Sequence, residues 1–199
     1  MRLSRAFGIT RVQVLQHRPG EGAFAPRCHR NVACRVLAQD EVLAFAVDTA
    51  LELDEAWVRS EFALGAVCLG AVEGGRLLGY TWLAYVDADL RYSHKSFVRP
   101  GYRRQRVLSA LHALADRTEL WRGRRASVSF VEADDATSLA LQRAGSRSLG
   151  YAVYAKVFGT LIAWRSAGVR RAGIRLYAPP PAGADRMQPW PDQSPHSSA

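Results

Sequence analysis

The chain has 199 residues, enough for one domain with a substantial core and short for two. At 48% hydrophobic and 23% charged it has the composition of an ordinary globular protein, which excludes a fibrous or wholly disordered chain. The formal net charge is +9, and among the 27 basic residues only Lys95 and Lys156 are lysines, so the positive charge is almost entirely arginine.

The N-terminus, MRLSRAFGITRVQV, lacks the continuous apolar core of a secretory signal. Residues 1–32 are expected to form an N-terminal extension, with His17–Arg30 (HRPGEGAFAPRCHR) a loop because of its prolines and glycines. Cys28, His29 and Cys34 cluster there, but a cysteine pair with one adjacent histidine at this spacing matches no common zinc pattern, so no metal is expected. Ala33–Leu37 is a short β-prone run. Gln39–Leu51 carries Val42, Leu43, Ala46, Val47 and Ala50 at helical spacing, with Asp40 and Glu41 suited to its start. Asp54 is placed to cap a second short helix bearing Trp57, Glu61 and Leu64.

Ala66–Val72 and Leu77–Val86 follow as two strands, with EGGR between them as the strongest hairpin signal in the chain. Cys68, inside AVCLGAV, is expected in the core. Tyr92–Val98 predicts a third strand closed by Pro100. From about Arg103 to Arg122 the stripe Val107, Leu108, Leu111, Leu114 and Ala115 predicts the best helix. Ala126–Ala133 reads as a strand, Asp135–Arg143 as a helix stopped by Gly145, and Tyr151–Trp164 as one or two final strands. The most apolar run, Val157–Trp164, is bracketed by Lys156 and Arg165 and is far below the roughly 18 residues a membrane span needs. From residue 178 the composition turns to Pro, Ser, Gly and Ala, which predicts a disordered tail at 178–199. The expected domain is therefore 33–177, in a cytoplasmic protein without membrane contact. Its element order predicts an α/β (α+β) fold on a mixed sheet, antiparallel in the first half with a parallel crossover in the second.

The chemically informative segment is SFVRPGYRRQRVLSALHALADRTEL, residues 96–120. A strand ends at a proline, a basic loop follows, and a strong helix begins at once. A helix start offers backbone N–H groups without intrahelical partners, and the macrodipole adds partial positive charge, so anions bind there readily. Arg99, Arg103, Arg104 and Arg106 surround this start. Cations at a helix N-terminus are electrostatically unfavourable unless an anion is present, which points to a phosphate site.

The run VRPGYRRQRVLSAL resembles the acyl-CoA-binding motif of the GNAT acetyltransferases, in which a V-x-P-x-Y-R segment leads through a turn into a helix. FVEADDATSLALQRAGSRSLGYAVY resembles that family's next strand and helix, and LGAVEGGRLLGYTWLAY its central hairpin. The resemblance covers about residues 33–165 and implies six or seven strands flanked by about four helices, with the sheet splayed after residue 98. It implies that main-chain groups of Phe97, Val98 and Arg99 pair with the pantetheine, the Val98 N–H facing the thioester oxygen. It implies that Arg103, Arg104, Gln105, Arg106, Val107 and Leu108 form the pyrophosphate loop. The family turn usually reads R-G-x-G-x-[GA]; this chain has no glycine after Gly101, and its arginines are placed to compensate by charge. Asp134 or Asp135 stands where the family usually has a polar Asn, and Leu141 where it often has a tyrosine acid.

Acyl transfer to an amine needs a proton acceptor, an oxyanion donor and a thiolate leaving group. Glu132 and His94 are the candidate bases, with a water chain as the alternative, and Tyr151 or Tyr154 are the nearest substitutes for the missing acid. Trp82 and Tyr80 either wall an acceptor pocket or pack the core. Asp87 and Asp89 either attract a cationic amine or are merely solvated. The expected function is transfer of an acyl group from acetyl-CoA or another acyl-CoA to an amine-bearing acceptor. The alternative is a catalytically inactive binding module of the same fold, holding acyl-CoA or nucleic acid. The arginines cluster at one helix start without interleaved aromatics, which argues against nucleic acid. Self-association as a homodimer is left open.

Overall fold

The computed structural model describes residues 7–18, 28, 32–84, 90–117, 126–136, 139–140, 145–157 and 160–174. Within them one mixed sheet of eight strands carries helices on both faces. The strands are β1 (Phe7–His17), β2 (Ala33–Leu37), β3 (Val67–Glu73), β4 (Arg76–Ala84), β5 (Leu90–Val98), β6 (Ala126–Glu132), β7 (Arg147–Val157) and β8 (Thr160–Arg165). The helices are α1 (Gln39–Ala46), α2 (Glu55–Ala63), α3 (Val107–Arg117) and α4 (Ala167–Arg171). The sheet order is β2-β3-β4-β5-β6-β1-β7-β8, and only the β5–β6 pair is parallel. The α+β class matches the sequence reading; the strand count of eight exceeds the expected six or seven.

The first half forms as its sequence dictates. Asp54 caps α2 by accepting from the Trp57 N–H at 2.8 Å. Glu41 reaches back to the Ala38 N–H at 3.0 Å at the start of α1. Gly74 and Gly75 both adopt positive φ (54° and 76°), which the tight β3–β4 turn requires and which other residues adopt only at a cost. Side chains alternate across β4. Tyr80 and Trp82 pack with Leu37, Val42, Leu51, Trp57 and Val58 under α1 and α2. On the other face Leu83 joins Leu69 and Ala71 beneath the α3 stripe Val107, Leu111 and Ala115. Cys68 is fully buried, as expected. Cys28 and Cys34 lie with their sulfurs 3.9 Å apart at the edge of the α3 cluster, and no metal-binding group occurs among the described residues.

The largest departure is β1. It is no extension: it lies between β6 and β7, antiparallel to both, at the centre of the sheet's second half. Its first part is partly exposed, with Ile9 and Arg11 open to solvent, and only its second part is buried on both faces, where no alternation marks the strand. Val14, Leu15, Gln16 and His17 are all buried in succession. Its polar side chains are matched across strands, Arg147 Nε donating to Gln16 Oε1 at 2.9 Å and Gln13 Nε2 to Ser148 Oγ at 2.8 Å. The best helix is also shorter than expected, since Arg103–Arg106 form a turn and α3 starts at Val107. The 178–199 tail and most of the expected 135–143 helix lie outside the described residues.

A buried polar network fastens the C-terminal end of α3 to the sheet. The Arg91 guanidinium, 1% exposed, donates to Ser127 Oγ at 3.3 Å and to the Ala115 carbonyl at 3.2 Å, and lies 3.6 Å from Asp116 Oδ1. His17 meets Asp116 Oδ2 at 2.9 Å and donates from Nδ1 to the Gly145 carbonyl. Beside them His112 is buried, and desolvation, then the Arg91 charge, hold its pKa down at about 4 against the pull of Asp116.

Two expectations follow. Leu15, 1% exposed between Val131 and Leu139, belongs to the core, so Leu15→Ala is expected to cost about 2–5 kcal/mol in chemical denaturation; a residue of a detached extension would cost almost nothing. Between the ordinary histidine value of 6.5 and about 4, the unfolded chain binds protons at His112 that the folded chain refuses. Stability is therefore expected to fall as pH drops through that window, by up to about 1.4 kcal/mol per pH unit for each such histidine, and His112→Gln is expected to flatten the slope.

Candidate functional site

β5 pairs with β4 from Tyr92 to Val98 but with β6 only from Leu90 to Ser93, opposite Ala126–Ser129. Beyond Ser93 and Ser129 the parallel strands part. The sheet thus splays after Ser93, five residues earlier than the expected position after 98. A β-bulge sits at that point. Trp82 pairs with His94 and Tyr80 with Phe97, leaving Lys95 and Ser96 opposite Thr81 alone, with Lys95 at φ 38°. Ser96 Oγ lies 2.8 Å from Thr81 Oγ1, which pins the bulge on the α3 side.

Past the bulge β5 keeps one edge open. The Arg99 N–H bonds the Leu78 carbonyl at 2.8 Å, so by the alternation of an antiparallel ladder the Val98 N–H and C=O point the other way, into the gap. Arg103 Nε donates to that Val98 carbonyl at 3.2 Å. The Arg99 side chain turns aside: its Nε donates to the Leu77 carbonyl at 2.7 Å and its far nitrogen pairs with Asp48 after α1, holding that carboxyl below its ordinary range. Gln105 Nε2 donates to the Gly101 carbonyl at 3.0 Å.

The side chains of Arg104 and Arg106 have no hydrogen-bond or ion-pair partner among the described residues, and both are exposed. Their backbones adopt φ 63° and 61°, the left-handed region that glycine favours. Arginine thus takes a left-handed path at both positions, which places two long cations on the turn. The Ala110 N–H bonds the Arg106 carbonyl at 2.9 Å, so the earlier amides, from Val107 to Ser109, open α3. Val107 itself is buried in the α3 core and Leu108 is half-buried, so these two contribute main chain and packing.

The opposite face of the gap carries a cluster from α2 and the bulge. The Trp57 ring lies 5.0 Å from Trp82 and 6.3 Å from His94, edge to face, and Phe62 is 5.2 Å from Trp82. Glu61, 3% exposed, places Oε2 3.4 Å from His94 Nε2, a contact that forms no hydrogen bond, and Nε2 has no hydrogen-bond partner among the described residues. Lys95 Nζ rests over the Trp57 ring, 3.8 Å from its centroid. Burial holds the His94 pKa down at about 4, helped by the Lys95 ammonium, and burial raises that of Glu61 against the opposing pull of Lys95. Tyr80 is fixed by donating to the Leu51 carbonyl at 2.8 Å and stacks on Phe97 at 5.6 Å; burial pushes its hydroxyl pKa up.

The remaining predicted residues lie elsewhere around the gap. Glu132 ends β6 opposite Val12 and is exposed, as is Asp134 in the following turn. Tyr151 is on β7, paired with Gln13, so β1 and β6 stand between it and β5. Its half-exposed ring lies under Arg11, 4.5 Å from Cζ, beside a shallow cavity of about 280 Å³ that Leu139 and Gly150 also line. Tyr154 is packed in the core with Tyr92 and Val128. Asp87, Asp89 and Leu141 lie outside the described residues. The sequence reading did not single out Trp57, Glu61 or Lys95 for the site. The available signals were a carboxylate in the buried stripe Trp57-Val58-Glu61 and a rare lysine beside His94.

No protein-family model matches the sequence, and no curated protein is similar to it. The fold is similar to that of several solved structures. A GCN5-related N-acetyltransferase from Kribbella flavida aligns with a TM-score of 0.56 at 19% identity, over 79% of this chain and 62% of that one. A functionally unknown conserved protein from Staphylococcus epidermidis gives a TM-score of 0.56 at 12% identity over 76% and 62%. A GCN5-related N-acetyltransferase from Sphaerobacter thermophilus gives 0.53 at 13% over 77% and 53%. The chain thus spans between about half and five-eighths of the length of these proteins. At these identities the likeness is one of fold, and the chain has the fold of the GCN5-related N-acetyltransferases.

Proposed function

We propose that the chain transfers an acyl group from acyl-CoA to an amine. The observation that carries this reading is the gap between β5 and β6, which joins two differently equipped faces. On one side stand the amides at the start of α3 and the unpartnered Arg104 and Arg106, suited to a pyrophosphate. On the other stand a buried imidazole, a buried carboxyl and aromatic walls, suited to an amine. An extended pantetheine fits the open edge of β5, where Val98 offers one donor and one acceptor as a missing strand would require.

Each residue then has a role. Arg104, Arg106 and the amides of Val107–Ser109 hold the diphosphate, with Gln105 and Arg103 bracing the turn from Gly101 and Val98. The Val98 N–H is the donor to the thioester oxygen and to the oxyanion that develops from it. His94 is neutral at neutral pH and so free to accept the proton that the amine sheds; the imidazolium formed is compensated by Glu61, 3.4 Å away. Trp57 borders the amine side, backed by Trp82, which is fully buried with its indole N–H unpartnered among the described residues. Glu132 has no such setting, and its exposed position at the end of β6 suits it to a solvent-side relay. A reading in which the domain binds acyl-CoA without turning it over draws on one observation, the separation of Tyr151 from β5 by two strands.

Calorimetry with acetyl-CoA tests the donor half. Arg104→Ala and Arg106→Ala are each expected to weaken binding by roughly ten- to a hundredfold, with smaller effects at high salt, as for charge-assisted contacts of about 1.5–3 kcal/mol. The turn itself is expected to survive, since both side chains are solvent-exposed. Arg99→Ala is expected instead to lower the melting temperature, because that guanidinium ties β4 to the Asp48 segment. Steady-state kinetics tests the acceptor half. His94→Gln is expected to lower kcat by about 10²–10⁴ with little change in acyl-CoA affinity, the range general bases supply. Binding retained with no turnover toward any amine, in the unmodified chain, would favour the binding module.

A further inference from the structure

Lys95 is the residue of the site that neither the donor nor the proton path requires. It is one of only two lysines in an arginine-rich chain, and it occupies the first bulged position past the last β5–β6 pair. In a regular strand, neighbours point to opposite faces. Here the bulge and the φ of 38° at Lys95 put His94 and Lys95 together on the α2 side, both against Trp57. The ammonium lies 3.8 Å from the Trp57 centroid, in the field of Asp54, Glu52 and Glu61. An aromatic face edged by carboxylates is the setting an alkylammonium acceptor needs. In this chain the site already holds a primary amine, at the mouth of the gap and beside the proposed base.

We propose that Lys95 Nζ is itself an acyl acceptor, so that the chain acylates its own bulge when no external amine occupies the site. This rests on the acyltransferase reading above. Lys95 is exposed to solvent on one side, and its partial desolvation lowers its pKa, against the carboxylates, which raises the share of neutral, nucleophilic amine. The nitrogen lone pair attacks the thioester carbonyl, the C–N bond forms and the C–S bond breaks. Coenzyme A leaves as the thiolate, and the proton released by the nitrogen passes through His94 Nε2 to solvent or to that thiolate. The product is a neutral amide, which no longer competes as a cation for the Trp57 face. It also removes the charge that, after burial, depresses His94, so the acylated chain carries a more basic imidazole. An arginine at 95 would keep the cation over the ring but lacks the nucleophile.

The test incubates the purified full chain with acetyl-CoA, and in parallel with octanoyl-CoA, without added amine. Intact mass and peptide mapping follow the label, with calorimetry for acyl-CoA on the same samples. One acyl group on Lys95 is expected, at a rate that saturates with acyl-CoA, while Lys156 labels no faster than in heat-unfolded chain. Lys95→Arg is expected to bind acyl-CoA as before and to lose the label, and His94→Gln to slow labelling at least tenfold without weakening binding. Equal labelling of Lys95 and Lys156, or acyl-CoA binding with Lys95 unlabelled by either donor, overturns the proposal and leaves the acyltransferase reading standing. Absence of binding to both donors in the calorimeter removes that reading, and this one with it.

Discussion

The arrangement depends on a single limit in the sheet: parallel pairing of β5 with β6 ends at Ser93 and Ser129. A sheet interior has no tolerance for unpaired N–H and C=O groups, so strands that part must find other partners for their inner edges or stay accessible to a ligand. Pairing with β1 from Ser127 to Glu132 satisfies only the far edge of β6. Pairing with β4 likewise satisfies the far edge of β5 and leaves Val98 facing the gap. The bulge at Lys95–Ser96 bends β5 where this divergence begins and turns two consecutive side chains to one face.

What keeps the gap open is packing on both sides of it. α3 is seated by Val107, Leu111 and Ala115 over β3 and β4, and fastened at its far end by the Arg91–Asp116–His17 network. With that end fixed, its N-terminus cannot swing away from the end of β5, and the Arg99 link to Leu77 and Asp48 fixes the loop from the other side. Within the frame, Arg104 and Arg106 hold left-handed backbone at a cost of order 1 kcal/mol each, a strain that an anion bound across two otherwise repelling cations would offset. The Glu61–His94 pair, with Glu61 buried and His94 nearly so, is a second expensive feature, since His94 Nε2 has no hydrogen-bond partner among the described residues. Both features lie beside the gap.

Much of the first half of the fold was legible because its signals are local. Asp54, Gly74-Gly75 and the α3 stripe each act through neighbours in sequence, and each forms the element it announces. β1 was not legible because burial on both faces from Val14 to His17 erases the alternating pattern there, and because its partners, Val131 and Ala152 among them, are more than a hundred residues away. The basic turn at 103–106 was legible from its charge but not in its conformation, because arginine seldom adopts the left-handed backbone that Arg104 and Arg106 hold. His94 was found as a lone titratable residue, but Glu61 was hidden, because a glutamate on an amphipathic helix ordinarily faces water. Its partner is supplied by a strand more than thirty residues later.

The central claim is that the donor completes the open edge of β5, and amide hydrogen exchange with and without saturating acetyl-CoA tests it most directly. The Val98 N–H and the first amides of α3 are expected to slow markedly on addition, while the Arg99 N–H, already bonded to Leu78, changes little. Protection that appears elsewhere, with Val98 and the start of α3 unchanged, would contradict the account.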